Sequence, residues 1–218
     1  MKFKTSLEGL LFKAAKSLSQ RDFRNVMARI RALHRDAGAY IDRIKPERWA
    51  RAFFPVRRFG HVTSNIAESA NAWLDHVRYL DPVGVFSLYI LKLNCLFEKR
   101  RVKYASLPPD GLPLKVAKRL DKSIETGRTL ALRRHTTTLF EVQAAASSVN
   151  WRVVDLEAKT CSCGFYREHG IPCSHVCAAL LSLNIDNFTP YISPERLRDA
   201  LASTYVGTIK PIDESLEQ

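Results

Sequence analysis

Cys161, Cys163, Cys173 and His175 are the residues whose types and spacing point most directly to chemistry. They lie in the run Cys-Ser-Cys-Gly-Phe-Tyr-Arg-Glu-His-Gly-Ile-Pro-Cys-Ser-His. A Cys-x-Cys pair and a Cys-x-His pair, nine residues apart, offer three thiolates and one imidazole. That is a full tetrahedral set for Zn2+, with Zn–S near ~2.3 Å and Zn–N near ~2.0 Å. Four protein ligands leave no coordination position for a catalytic water, so the expected site is structural.

The competing readings are buried cysteines packed as small hydrophobes or a disulfide. Four soft ligands within fifteen residues, closed by a His two positions after a Cys, are hard to obtain from packing alone. A disulfide is disfavoured by the odd total of five Cys, by the lack of a secretory pattern after Met-Lys-Phe-Lys-Thr, and by a Cys-x-Cys pair too close for easy bridging. Cys177 lies in the apolar run from Val176 to Leu183 and reads as core. His169, beside Gly170, is a substitute ligand on composition, but its place in the middle of the loop argues for solvation.

The spacing Cys-x-Cys, nine residues, Cys-x-His, ending in Gly-Ile-Pro-Cys-Ser-His, resembles the SWIM-type zinc finger. Trp151-Arg152-Val153-Val154-Asp155-Leu156 stands where that family places a strand, and Phe140-Glu141-Val142 where it places the strand before. The resemblance implies two antiparallel strands, a zinc loop and a helix beginning near Cys173. Further upstream, Thr63-Ser64-Asn65-Ile66-Ala67-Glu68-Ser69-Ala70-Asn71-Ala72-Trp73, preceded by Trp49-Ala50-Arg51-Ala52-Phe53, is similar to the C-terminal part of Mutator-like element transposases. Together the two likenesses span about residues 20 to 195, and the zinc motif is the specific part.

In those transposases the Glu of the Ser-Asn-x-x-Glu block, here Glu68, would complete an Asp-Asp-Glu metal triad. Two-metal phosphoryl transfer needs several carboxylates on a rigid sheet. The 67 residues before Glu68 follow a helical pattern, and Asp22, Asp36 and Asp42 all fall within it. The expectation is therefore that this chain lacks the triad, that Glu68 only favours a helix N-terminus, and that the chain is not an enzyme by itself.

The chain has 218 residues, 46% of them hydrophobic, and a formal net charge of +12. This length allows one large or two small domains, and the hydrophobic content suits a folded protein rather than a disordered one. Apolar runs such as 85–91 are too short to span a bilayer, so no membrane partner is expected and the location is read as nuclear or otherwise intracellular. The positive field favours polyanions, of which nucleic acid is the usual one inside cells. From Arg100 to Arg134 ten basic residues stand against three acids, a local +7. A solvated helix face is the bland alternative.

The elements that must position these residues are mainly helical. Leu7, Leu10, Leu11 and Ala14 recur at helical spacing, and Phe23, Val26, Met27, Ile30 and Leu33 mark a second helix behind Ser19. That helix, or a continuation, runs through Ala37, Tyr40 and Ile41 to Pro46. Trp49, Phe53 and Phe54 form an aromatic knot. Helices are predicted over about 65–79, from Asp81-Pro82 past Arg100, and over about 113–132, the last carrying Lys115, Lys118, Arg119 and Lys122 as a basic stripe. A short helix over about 194–202 precedes a polar tail.

The expected architecture is mainly α with a small α+β zinc module: helices over residues 1–135, a ββα SWIM-type finger over 136–190, then a short helix and tail over 191–218. The function this implies is zinc-dependent binding of DNA or another nucleic acid, with the basic stripe touching the polyanion. Two alternatives stand beside it: a fragment of an active Mutator-like transposase, and a zinc-stabilised module for protein partners. Loss of zinc is expected to unfold residues 140–183 and to leave the N-terminal helices intact.

Overall fold

The structure is a computed structural model and describes residues 2–60, 65–108, 111–145 and 148–211. The chain divides into two compact units, each built from segments that are not consecutive. One joins Met1–Val62 to Ala117–Ser193, and the other joins Thr63–Val116 to Pro194–Gln218.

In the first unit, helices α1 (Lys2–Lys16), α2 (Gln20–Leu33) and α3 (Arg35–Asp42) precede two single 3-10 turns, Pro46–Arg48 and Arg51–Phe53. Ser19 caps α2: its Oγ accepts from the Asp22 amide at 3.1 Å, which satisfies one of the first-turn donors. The positions 23, 26, 27 and 30 bring Phe23, Val26, Met27 and Ile30 onto one buried face. The Phe23 ring meets Trp49 at 5.4 Å and stands edge-on to Phe53 at 5.0 Å, so the aromatic knot is core. The helical pattern continues past Leu33, but the backbone breaks at His34, whose extended conformation and Nδ1, accepting from the Ala37 amide at 3.2 Å, start α3 anew.

The finger grows from a four-stranded antiparallel sheet in the order β1 (Leu132–Arg134), β2 (Leu139–Gln143), β3 (Trp151–Asp155) and β4 (Thr160–Cys161). Phe140 pairs with Val154 and Val142 with Arg152. Alternation along the strands buries Phe140, Val142 and Val154. The two strands expected from sequence are the centre of this sheet, and short strands at both edges extend the ββα pattern. Between Leu114 and Gly127 runs α6. It stops five residues short of the expected Leu132, at Gly127, which backs onto the helix after the zinc loop: a Cβ there would lie 2.8 Å from the Ser174 carbonyl oxygen. Within the zinc loop lies α7 (Phe165–His169), and past it comes α8 (Ser174–Ser182).

The second unit holds α4 (Asn65–Trp73), a 3-10 turn at Asp75–Tyr79, α5 (Pro82–Ala105) and, near the C-terminus, α9 (Arg198–Ser203). The helix expected over 65–79 thus ends at Trp73 and tightens to 3-10; Thr63 and Ser64, which open the motif before it, lie outside the described residues. Asp81 caps α5 by accepting from the Gly84 amide at 2.9 Å. Tyr205, after α9, packs on Phe97 and Tyr104 of α5. Among the described residues no helix is long and apolar enough to cross a membrane. The polar tail is described as far as Pro211.

Candidate metal centre

Cys161 closes β4, Cys163 follows two residues later, Cys173 is the N-cap of α8, and His175 sits in the first turn of that helix. A tight knuckle turns the chain between the ligand pairs. Gly164 makes it possible: its φ is +77°, in the left-handed region that glycine enters without a Cβ penalty, and a Cβ there would lie 2.1 Å from the Leu18 carbonyl oxygen. The Phe165 amide then donates to Cys163 Sγ at 3.4 Å.

The four donor atoms all lie within 4.8 Å of one another, with Cys161, Cys173 and His175 buried and Cys163 half-buried. His175 turns Nδ1 toward the sulfurs, 3.8 Å from Cys161 and 3.6 Å from Cys173. A tetrahedron with Zn–S bonds of about 2.3 Å and a Zn–N bond of about 2.0 Å has edges of roughly 3.5–3.8 Å, and the two His175 distances match them. On the other side of the ring, Nε2 lies 3.3 Å from the Ala144 carbonyl oxygen. That carbonyl can accept the Nε2–H and fix the tautomer with Nδ1 free to ligate, the usual supporting arrangement for a ligand histidine. A backbone carbonyl leaves no trace in sequence, and this partner is invisible there.

Three crowded thiols cannot all ionise without a cation. Cys163 is held well below the ordinary thiol range by hydrogen bonds from Cys161 and then Cys173. The bond to Cys163 pushes Cys161 up to about 12, and burial first, then bonds to the other two sulfurs, keep Cys173 protonated. A divalent ion relieves this frustration and displaces those protons. Cys177 stands outside the cluster. It is fully buried, and burial pushes its thiol up to about 12, so it is core as expected.

His169 departs from the sequence reading. It is buried rather than solvated, its ring lies 4.4 Å from that of Phe165, and Arg119 Nη1 reaches its Nδ1 at 3.0 Å. It is not one of the clustered donors. The loop pattern concealed it because the burial comes from α6, about fifty residues upstream.

The basic residues Lys115, Lys118, Arg119 and Lys122 are all exposed along α6, while Val116 and Leu120 are buried. Arg119 also stands over the Phe165 ring at 6.0 Å, linking the stripe to the zinc knuckle. Beside Cys163 and His175 opens a cleft of about 550 Å³, whose wall includes Arg119, Lys122 and Arg152. Glu68 is exposed in the first turn of α4, where a negative charge favours the helix.

Residues 140–184 match the family model of the SWIM zinc finger. No curated protein and no solved structure matches the chain. The segment is a SWIM-type zinc finger whose Cys161, Cys163, Cys173 and His175 are positioned to hold a metal ion, consistent with Zn2+.

Proposed function

We propose that this chain is a zinc-stabilised nucleic-acid-binding protein, derived from a Mutator-like transposase, that grips DNA through the exposed face of α6 and carries out no catalysis by itself. The observation that carries the reading is the division of α6 into two faces. Val116 and Leu120 are buried, whereas Lys115, Lys118, Arg119 and Lys122 are exposed. Among the described residues, none of the three lysines is in an ion pair. Cations held on a rigid helix without acidic partners suit phosphate binding, which positions a protein on a strand without reading its sequence. The metal supports the reading in another way: four protein ligands leave the ion no coordination position for water, so its contribution is to folding. The transposase ancestry rests on the motif around Glu68, and a DNA-binding role would place the chain in the nucleus.

The test replaces Lys115, Lys118, Arg119 and Lys122 by Gln in the zinc-loaded chain. The variant should stay folded, bind every duplex more weakly, and flatten the slope of log K against log salt by up to about 3–4 units, at roughly 0.9 for each phosphate no longer neutralised. A folded variant with unchanged affinity and slope would make the stripe a solvated face and leave a module for protein partners as the better reading.

A further inference from the structure

Arg152 occupies a position where a strand of this kind ordinarily carries an apolar residue. It lies on β3 opposite Val142 and two residues from Val154, on the face where both of those valines are fully buried. Residues two apart in a strand share a face, so Arg152 belongs to the core side of the sheet. An arginine there needs a partner. The partner present is Asp22, reached only at 3.4 Å, itself 43% exposed and already accepting from the Ser19 hydroxyl at 2.7 Å. The Arg152 side chain is 17% exposed, and it looks into the cleft beside Cys163 and His175. Arg119 and Lys122 enter the same cleft from α6, with the hydroxyl-bearing residues Ser123 and Ser174 in its wall.

We propose that this cleft is a phosphate-binding subsite for the backbone of a nucleic-acid strand, with Arg152 as its inner cation and Arg119 and Lys122 at its mouth. The proposal rests on the nucleic-acid reading above and deepens it. A zinc centre of three thiolates and a neutral imidazole carries one net negative charge and Asp22 a second, so three cations leave the cleft net positive. Its volume of about 550 Å³ lies within the ordinary range for a ligand pocket, roughly 300–1,000 Å³. An arginine offers a planar fork of donors to a phosphate, and hydroxyls complete the shell. The cleft opens onto the exposed face of α6, so a strand lying along Lys118 would carry its next phosphate toward Lys122 and Arg152. This favours a phosphodiester over a small free anion.

The test uses the zinc-loaded full chain and a set of Gln variants: Lys122→Gln, Arg152→Gln, the pair together, and Lys118→Gln as a comparator on the same helix outside the cleft. Binding to a 20-nucleotide single strand and to a duplex is measured across salt concentrations, with melting checked for each variant. The pair should weaken binding at least tenfold and flatten the duplex salt slope by roughly 1.8 units, at about 0.9 per phosphate. Asp22→Asn, which removes the competing charge and keeps an acceptor for the Ser19 hydroxyl, should tighten binding. If wild type binds and Lys118→Gln weakens it, but Lys122→Gln and Asp22→Asn change nothing, the subsite is overturned and the nucleic-acid reading stands. Wild type that binds no nucleic acid would overturn that reading and the subsite with it. Displacement of the strand by millimolar inorganic phosphate at constant ionic strength would mark a small-anion site and overturn the phosphodiester assignment.

Discussion

Arg51 and Glu168, 117 residues apart, form a buried ion pair: Arg51 donates from Nε at 3.1 Å and from Nη2 at 2.8 Å to Glu168 Oε1. The Gly60 amide donates to the same oxygen at 3.1 Å, and the neighbouring Arg167 donates from Nη2 to the Ala52 carbonyl at 3.1 Å. These bonds fasten the segment after the N-terminal helices to α7, the short helix inside the zinc loop. With Gly164 pressed against Leu18, they tie the helices and the finger together within one compact unit.

Zinc removal should therefore unfold more than residues 140–183. The sequence alone suggests that the N-terminal helices survive, but Arg51, Ala52 and Gly60 after them and the Leu18 backbone between α1 and α2 rest on the knuckle. Cys163→Ser or chelation should strip hydrogen-exchange protection from α2 together with the sheet. Metal affinity in comparable sites is folding free energy of about 10 kcal/mol or more. Retained α2 protection in the metal-free protein would show the two parts to be independent.

Glu168→Gln should lower stability by about 3–5 kcal/mol, the usual loss when one member of a buried pair is left unmatched. Replacing Arg51 by Met as well should cost less than the two single changes added together. Thermal melts of the four proteins in a double-mutant cycle measure the coupling, which should exceed about 1 kcal/mol.

Gly164→Ala should cost at least about 2 kcal/mol, from the left-handed backbone and the overlap with Leu18. It should also weaken zinc retention, because the backbone must shift between Cys163 and Phe165. A competition titration with a chromophoric chelator reads the second effect.

With zinc bound, one thiol should react rapidly with an aromatic disulfide reagent: Cys95, which is exposed on α5. Chelation should release Cys161, Cys163 and Cys173, and Cys177 should react only on unfolding. The Cys177 thiol sits at about 12 against 9.0 unperturbed because of burial. A folded pKa raised above the unfolded one contributes stability in full below about pH 9, and that contribution is lost as pH rises toward about 12. The urea midpoint should fall across this window, less steeply in Cys177→Ala than in wild type.

Glu68→Gln should change stability by no more than about 1 kcal/mol and leave nucleic-acid affinity unaltered. Cleavage or joining of DNA by the purified chain with Mg2+ or Mn2+, lost in this variant, would overturn the non-catalytic proposal.

The four ligands, the central strands and the first helices were legible in the sequence because their determinants are local. Ligand spacing, the Ser19 cap and the repeat of Phe23, Val26, Met27 and Ile30 act within a few residues, and a tetrahedral donor set admits little besides a metal. Other features needed the tertiary structure. The need for glycine at 127 is set by its approach to α8, the burial of His169 by Arg119 and Phe165, and the orientation of His175 by the carbonyl of Ala144. Arg152 reads in sequence as one more strand residue, and only the register with Val142 turns it inward toward a cleft. The pairing of Arg51 with Glu168 has no periodic signature at all. Charge and hydrogen-bond complementarity across 117 residues of chain depends on where the backbone carries each group, and that is decided by packing.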